Sequence, residues 1–153
     1  MTERLSIRRA DLDDLDRLVP LFDGYRRFYG KPSEPDRVRA FLGDRLRNRD
    51  SIVLLAFLAG QAGPGGFTQL YPTFSSISIG RSLILNDLFV APEARGHGMG
   101  RALIERAAKF GREAGAVFLE LATGVSNTAA QALYQESGWR REDGFYHYSL
   151  DLR

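Results

Sequence analysis

The chain has 153 residues, the length of one domain, and its apolar fraction of 44% and charged fraction of 26% are those of a globular protein with a sizeable core. The formal net charge is only +2 and basic residues alternate with acidic ones, so we expect no nucleic-acid partner. The sequence has no cysteine, and its longest apolar run, Ile52–Ala59, is too short to span a bilayer, so neither disulfides nor a membrane anchor are expected.

The N-terminal segment predicts a short strand followed by a helix. Residues 1–14 are charged and carry no secretory signal pattern, which predicts a cytoplasmic protein. Leu5–Arg9 has the pattern of a strand, and Asp11 is a candidate N-cap for a helix whose apolar residues recur at helical spacing as far as Tyr25. Pro20 is expected to kink this helix or to mark its boundary.

A second helix and a hairpin are predicted next. Ser33 is the expected N-cap of the helix, and Pro35 in its first turn is typical of a helix start. The apolar run Ile52–Ala59 and the segment Phe67–Tyr71 predict strands. Because the glycine-rich segment Gly60–Gly66 separates them, we expect these two strands to form a hairpin.

The C-terminal half predicts a parallel strand pair joined by a helix. A strand at 82–90, a helix at 99–113 and a strand at 117–122 form a crossover unit, which has parallel strands and a right-handed connection. Three more elements follow, namely a helix from Ser126 or Asn127 to Ser137 and strands at Trp139–Arg141 and Phe145–Leu152. The order β-α-α-β-β-β-α-β-α-β-β predicts one α/β domain over residues 1–153, with a mixed central sheet and helices on both faces.

A glycine-rich turn connects the strand at 82–90 to the following helix. The segment Val90–Arg101 (VAPEARGHGMGR) has three alternating glycines, with Arg95 and Arg101 on either side. A helix start presents backbone N–H groups and a partial positive charge, and glycines let a phosphate approach that backbone closely. The turn therefore predicts an anion site.

Two common phosphate-binding motifs do not fit this turn. A dinucleotide fingerprint needs glycines at relative positions 1, 3 and 6. Counting from Gly96 places Arg101 at the sixth position, and counting from Gly98 places Leu103 there. A P-loop needs Gly-Lys followed by Ser or Thr, which the sequence lacks. The alternative is a turn that binds no ligand, in which the glycines are needed only for the backbone conformation.

The motif Arg95-x-x-Gly98-x-Gly100 resembles the Gln/Arg-x-x-Gly-x-Gly/Ala signature of the GNAT superfamily of N-acetyltransferases. Asn86–Gly96 (NDLFVAPEARG) is similar to the family's fourth strand and loop, and Asn127–Trp139 (NTAAQALYQESGW) to its next conserved block. The predicted element order also resembles the family's over nearly the whole chain. The resemblance implies the GNAT (acyl-CoA N-acyltransferase) fold and an enzyme that moves acetyl from acetyl-CoA to an amine. Within the superfamily, Tyr71–Ser75 and the NDLFV strand look most like the polyamine and histone-type acetyltransferases.

The resemblance also implies where acetyl-CoA, the cosubstrate, would bind. In the family the fourth and fifth strands splay apart, a bulge frees the backbone of the fourth, and the pantetheine arm pairs with that backbone, here near Leu88, Phe89 and Val90. Asn127 resembles a residue that contacts the pantetheine or the nearby backbone; alternatively it is a plain helix N-cap. The pyrophosphate is expected on the turn, at Arg95, Gly96, His97, Gly98, Met99, Gly100 and Arg101.

The resemblance assigns the proton donor to a tyrosine. Tyr134 stands in the Leu-Tyr-x-x-x-Gly context of the family's acid tyrosine, which would protonate the departing thiolate. It lies about two helical turns after Asn127, so the two residues are near one face of their helix. The alternative is a tyrosine that packs in the core.

The proton acceptor is less evident from the sequence. By strand alternation Ile84, Asn86 and Leu88 share one face, where several relatives carry a glutamate, and neither Ile84 nor Asn86 can take up a proton. Asp87 is expected to point the other way unless the bulge rotates it. We therefore expect an ordered water held by Asn86 and the backbone, with Asp87 or Tyr71 taking part.

The acceptor pocket is expected to have aromatic walls. Tyr71 and Tyr29 are the candidate substrate contacts, with Tyr25 and Phe28 beside Tyr29 at the end of the first helix. Aromatic residues at helical spacing are otherwise core residues. No metal site is expected, because the sequence has only two histidines and they are far apart.

Three functions stay open at this point. The first is acetylation of a small-molecule primary amine, the second is acetylation of protein lysines or N-termini, and the third is non-catalytic binding of acyl-CoA in a regulatory module. A homodimer is also expected, because an aromatic strand at Phe145–Leu152 would invite a partner.

Overall fold

A mixed β-sheet with the strand order β1-β2-β3-β4-β5 organises the chain. The structure, a computed structural model, describes residues 4–153. Within them lie five strands and four α-helices: β1 Leu5–Arg9, α1 Leu15–Phe28, α2 Pro35–Asn48, β2 Ile52–Leu58, β3 Gly66–Ser75, β4 Gly80–Val90, α3 Met99–Glu113, β5 Phe118–Glu120 and α4 Thr128–Glu136. Short 3-10 turns at Leu12–Asp14 and Pro92–Ala94 precede α1 and α3.

The described chain divides into two compact units. The first ends at Ala122 and contains the whole sheet with α1, α2 and α3, and the second, Thr123–Arg153, contains α4. The expectation of one domain over residues 1–153 stays a prediction.

The strand pairing has the predicted mixed character. Neighbouring strands from β1 to β4 pair antiparallel, whereas β4 and β5 pair parallel. The parallel pair is joined by α3, as expected for a crossover unit, and α3 has the predicted bounds. The strand pattern at 117–122 shortens to Phe118–Glu120, and the hairpin strand at 67–71 extends to Gly66–Ser75.

Two cores cover the two faces of the sheet. On one face α1 packs on β3 and β4, where the Phe22 ring lies 5.4 Å from that of Phe67. On the other face α3 packs closely, because a Cβ built on Gly66 would lie 2.9 Å from the sulfur of Met99. A Cβ built on Gly111 of α3 would likewise lie 2.7 Å from Cδ1 of Leu119 in β5, so both glycines let the helix and the sheet approach closely.

Acidic residues organise the start of the helical layer. Asp11 caps the 3-10 turn in a capping box with Asp14, and α1 then runs through Pro20 to Phe28 without ending there. The Asp14 carboxylate also accepts both terminal nitrogens of Arg8, at 2.8 and 2.6 Å. The Arg8 guanidinium therefore lowers the pKa of Asp14.

The predicted cap of α2 is wrong. Ser33 does not cap α2, which has Glu34 as its N-cap residue and no side-chain cap. Instead the Ser33 hydroxyl donates to Asp23 Oδ2 at 2.6 Å, and the Glu34 N–H donates to Asp23 Oδ1 at 2.8 Å. Asp23 of α1 therefore binds the segment that leads into α2, and these donors hold the pKa of Asp23 below its usual value.

The two closing strands predicted at Trp139–Arg141 and Phe145–Leu152 do not form. Among residues 4–153, no strand follows β5. The aromatic alternation in the last segment makes it able to pair, but a strand also needs a partner ladder, and here its side chains are exposed instead. The order in the structure is therefore the predicted one without its last two strands.

Candidate active site

A β-bulge interrupts the long antiparallel pair β3–β4. Gln69 pairs with Asp87, but the next residue, Leu70, pairs with Leu85, so Asn86 is an extra residue in β4 without a partner in β3. A bulge was expected in this strand, and the structure has one at Asn86.

The bulge decides which side chains share a face. Cross-strand partners point to the same face, so Asp87 lies on the face of Gln69, and Ile84 lies on that same face through its partner Tyr71. Leu88 pairs with Thr68 and points to the other face. The expectation that Ile84, Asn86 and Leu88 share a face is therefore wrong, because plain alternation counts the extra residue as if it were paired. Asp87 is the acidic residue that the bulge turns to the side of Ile84.

Asp87 stands at the centre of a buried polar cluster. Its side chain is nearly inaccessible, and its Oδ2 accepts the Nε2 of Gln69 at 2.8 Å. Its Oδ1 accepts the Nδ2 of Asn86 at 3.2 Å. The hydroxyl of Thr68 donates to its backbone carbonyl at 2.7 Å. The carboxylate is thus held by two neutral amides, one buried and one exposed.

Tyr71 lies next to this cluster. Burial, together with the negative charge of Asp87, raises the pKa of its hydroxyl to about 12. The hydroxyl therefore stays protonated at neutral pH. It can orient a ligand by a hydrogen bond, but it is a poor proton acceptor.

The β4–α3 turn has the geometry of an anion site. Gly96 and Gly98 adopt left-handed backbone conformations with φ of 84° and 77°, and Gly98 is the N-cap residue of α3. A Cβ built at either glycine would meet nothing within 4 Å, so the space beside the turn is open. The first turn of α3 carries no acidic residue, and helix N–H groups there lack intrahelical acceptors. This arrangement suits a phosphate group.

Not every side chain of the turn contributes to that open space. The Arg95 guanidinium lies over the Phe28 and Phe89 rings, 5.6 and 5.8 Å from their centroids, and its Nε donates to the Val90 carbonyl. The Met99 side chain is buried against β3. Met99 can therefore contact an anion only through its backbone.

The edge of β4 that faces β5 is paired over only part of its length. The parallel ladder with β5 covers only Ser82–Ile84. Within residues 4–153, the rest of β4 up to Val90 has a partner strand on the β3 side alone. From Leu88 to Val90 the strand therefore has one edge without a partner strand in the described chain, beside the glycine turn, where the Val90 carbonyl accepts from Arg95 Nε.

Aromatic rings line the side of β4 that Asp87 faces. Tyr25 is the hub, with its ring 5.6 Å from Phe67, 5.9 Å from Phe89 and 5.2 Å from Tyr29. Phe89 is buried by these contacts, whereas Tyr29 is 55% exposed at the end of α1. Tyr25 and Phe89 therefore belong to the core, and Tyr29 keeps a surface that a ligand could touch.

The second unit holds the two remaining candidates. Asn127 is the N-cap of α4, and its Oδ1 accepts the Ala130 N–H at 3.2 Å, so the capping interpretation is confirmed. The half-buried Tyr134 ring lies 5.9 Å from that of Trp139. The backbone N–H of Trp139 donates to the Tyr134 carbonyl at 3.0 Å.

Sequence reasoning missed Gln69. Its side chain is fully buried, and its Oε1 has no hydrogen-bond partner. The sequence QLYPT around it carries no motif, and the register that brings it to Asp87 depends on the bulge. A polar residue in the middle of an apolar strand was the one available signal.

Two further observations concern metals and membranes. In the part of the chain that the structure describes, no group of three or more His, Asp or Glu side chains is arranged to hold a metal ion. No helix between residues 4 and 153 combines the length and apolar character needed to cross a membrane.

Comparison with known proteins identifies the class to which this fold and turn belong. The model of the acetyltransferase (GNAT) family matches residues 18–139, from α1 to the residue after α4's closing turn. The chain belongs to the GNAT family of N-acetyltransferases.

Similar proteins cover nearly the whole chain. A Bacillus subtilis (strain 168) protein described as an uncharacterized N-acetyltransferase is 43% identical over 97% of this chain and 98% of its own length. The crystal structure of a probable acetyltransferase superposes with a TM-score of 0.91, at 42% identity and over 97% of this chain and 98% of that one. A thialysine N-epsilon-acetyltransferase of Caenorhabditis elegans is 25% identical over 91% of this chain and 87% of its own length. The protein is therefore an acyltransferase with the GNAT fold.

Proposed function

We propose that the protein transfers the acetyl group of acetyl-CoA to the primary amine of a small molecule, by direct attack within a ternary complex. The observation that carries the proposal is the unpaired edge of β4 ending in the open glycine turn at the N-terminus of α3. A strand edge followed by an anion site suits a ligand that has an amide-containing arm and a phosphate-rich end.

The donor half of the site follows from these two features. Backbone groups of Leu88, Phe89 and Val90 would pair with the amides of the pantetheine arm, as a peptide pairs with a sheet edge. The backbone at Gly96–Arg101 would receive the pyrophosphate. A β4 amide freed by the bulge would polarise the thioester carbonyl in the manner of an oxyanion hole.

The amine nitrogen bonds to the thioester carbon and the carbon–sulfur bond breaks. Starting from the ammonium form, the nitrogen loses one proton before the attack and a second after it, and the thiolate of CoA gains one. A lysine-like amine has a pKa near 10.4, so at neutral pH it must first give up a proton. We assign this first proton to a water held at Asn86, which passes it to the Asp87 carboxylate. The Tyr134 hydroxyl protonates the thiolate, and the second amine proton restores that hydroxyl. Tyr71, protonated at neutral pH, would orient the acceptor.

A cationic amine fits the acceptor side better than a neutral one. The Asp87 carboxylate is bonded only to neutral amides in the polar cluster, so they leave its charge uncompensated. The exposed ring of Tyr29 would add an apolar wall and a face for a cation. The C. elegans relative is named for a small amine, thialysine, and this supports a small-molecule acceptor.

Two alternatives make different demands on the site. Acetylation of protein lysines or N-termini needs a groove for a peptide beside the amine. A regulatory module that only binds acyl-CoA needs the β4 edge and the glycine turn but neither Asp87 nor Tyr134.

The experiment is a turnover screen with acetyl-CoA, amine panels and a thiol reporter for free CoA. We expect CoA release with small primary amines and not with lysine peptides. CoA and acetyl-CoA should both raise the melting temperature. At a ligand concentration of 100 Kd, binding should add about 2.7 kcal/mol to the free energy of unfolding. Release with peptides alone would favour the protein acetyltransferase, and binding without turnover would favour the regulatory module. No binding of either form of CoA would refute the proposal.

A further inference from the structure

The buried glutamine of β3 is polar without an evident structural reason. Gln69 is fully buried between strand neighbours, and its Nε2 donates to Asp87 Oδ2 at 2.8 Å. Its other polar atom, Oε1, is inaccessible and has no hydrogen-bond partner. Such an atom is destabilising, because it has lost its water without gaining a donor.

An apolar side chain would serve stability better at this position. Phe67, two residues earlier on the same face of β3, is an equally buried residue of that kind. A buried polar group that is only half satisfied calls for an explanation other than packing. The Gln69 amide makes its 2.8 Å bond to Asp87 and also interacts with the neighbouring Tyr71 side chain, so both of its interactions lie at the candidate site.

The geometry of that bond fixes the carboxylate. With the amide reversed, Oε1 would face Oδ2 and two acceptors would meet, so the amide has one favourable orientation. The buried donor therefore holds Oδ2, while Oδ1 stays on the side of the exposed residue Asn86. Asp87 is thereby anchored by one oxygen and presents the other.

We propose that Gln69 is a positioning residue for the acetyl transfer, which anchors Asp87 so that Oδ1 takes the amine's proton through the water at Asn86. This inference rests on the proposed function. It explains the destabilising, unpaired Oε1 as a consequence of placing the Nε2 donor of the same amide beside the carboxylate. Gln69 touches neither substrate in this scheme and acts on the reaction through Asp87.

The first test compares two buried hydrogen bonds to the same residue. Gln69→Met keeps a long side chain but removes the donor to the carboxylate, whereas Thr68→Val removes the donor to the backbone carbonyl of Asp87. We expect Gln69→Met to lower kcat by about 10- to 100-fold with KM for both substrates nearly unchanged, since a misplaced catalytic group costs rate rather than binding. Thr68→Val is the matched control and should keep its kcat, although its melting temperature should fall as well.

The second test asks whether Gln69 acts through Asp87. Once Asp87→Asn has removed the carboxylate, adding Gln69→Met should lower kcat only a little further. The effects of two residues that act through the same group are not additive. A third readout needs no turnover: the side-chain amide resonances of Gln69 should be shifted and protected from exchange in the unmodified protein. Both properties should be lost in Asp87→Asn.

The outcomes separate this inference from the proposed function. If Asp87→Asn has a lowered kcat and Gln69→Met has the kcat of the unmodified protein, the positioning role alone is overturned. Additive losses in the double variant would overturn it too, as would an unprotected Gln69 amide if Gln69→Met does not fold. An unmodified protein that turns over no amine would overturn the proposed function, and the inference with it.

Discussion

Among single residues, Tyr134 offers the most direct test of the proposed chemistry. Tyr134→Phe keeps the ring beside Trp139 and removes the hydroxyl. If that hydroxyl protonates the departing thiolate, kcat should fall by roughly 10- to 100-fold, the low end for general-acid catalysis because a thiolate is already a tolerable leaving group. Steady-state kinetics should show equal losses in kcat and kcat/KM, with CoA affinity unchanged.

A purely structural Tyr134 gives a different pattern. The melting temperature of Tyr134→Phe would then fall while the folded fraction keeps its full kcat. Thermal melts on the same samples used for kinetics distinguish the two results, and the second would leave the enzyme without an assigned proton donor.

Gly98 tests the position of the pyrophosphate. A valine there would fill the open space beside the turn, so Gly98→Val should abolish CoA binding in calorimetry. Gly115 is a matched control at the other end of α3, because it has the same φ of 77° and the same absence of neighbours within 4 Å. Both valines carry backbone strain of at least about 1 kcal/mol, so both should lower stability.

Only the Gly98 variant should lose CoA. Equal CoA affinities in Gly98→Val and the unmodified protein would mean that the phosphates lie elsewhere. Loss of binding in both variants would point to strain in α3 rather than to a blocked site.

These residues differ in how far the sequence could locate them. The geometry of the glycine turn was predictable, because left-handed glycines at a helix start are a local property of the chain. The face of the sheet to which Asp87 points was not predictable. It depends on pairing with a β3 residue 18 positions away and on the one unpaired residue of β4. Gln69 was missed for the same reason.

Between elements, the bond from α1 to the start of α2 predicts a pH dependence. Asp23 accepts from Ser33 and from the Glu34 N–H, with Arg26 and Arg27 nearby, and its pKa is lowered in the folded protein. A lowered pKa stabilises the fold above the unfolded value of about 3.9, and this contribution disappears as pH falls through the folded value.

Asp23→Asn should therefore cost about 1–2 kcal/mol of unfolding free energy at neutral pH and progressively less below pH of about 4. Urea unfolding of both proteins across this range measures the difference. Arg39→Ala is a suitable control, since it breaks only an exposed ion pair with Asp16 on the same two helices. A difference independent of pH would show that the carboxylate charge is not what joins the two helices.

The elements also show what periodicity can and cannot predict. α3 was predicted with its full bounds, because its apolar stripe, its glycine start and the glycine after its end are all in its own sequence. The strands at Trp139–Arg141 and Phe145–Leu152 were not found, because alternation reports only the ability to pair. A strand exists when another strand offers its backbone, and no local pattern contains that information.

For the whole molecule we predict a homodimer. The last segment exposes large side chains, among them Tyr148 at 92% and Leu150 at 82%, and such a segment favours a partner of the same kind. Light scattering should give about twice the chain mass of 17.1 kDa. Leu150→Asp should shift the mass to that of one chain, whereas Ile77→Asp, at another exposed apolar residue in the β3–β4 turn, should not.

A monomer at high concentration would contradict this prediction. A dimer that persists in Leu150→Asp and dissociates in Ile77→Asp would move the interface to the β3–β4 turn.

The extra residue of β4 also has a consequence for how this protein can change in evolution. In a regular strand, the gain or loss of one residue turns every later side chain to the opposite face and exchanges core for solvent. In β4, loss of Asn86 would make Leu85 and Asp87 neighbours without turning either over, since their partners Leu70 and Gln69 are already neighbours in β3. A lineage can therefore delete or regain this one codon with both cores intact, and what changes is the bend of the strand and the donor to Asp87 Oδ1.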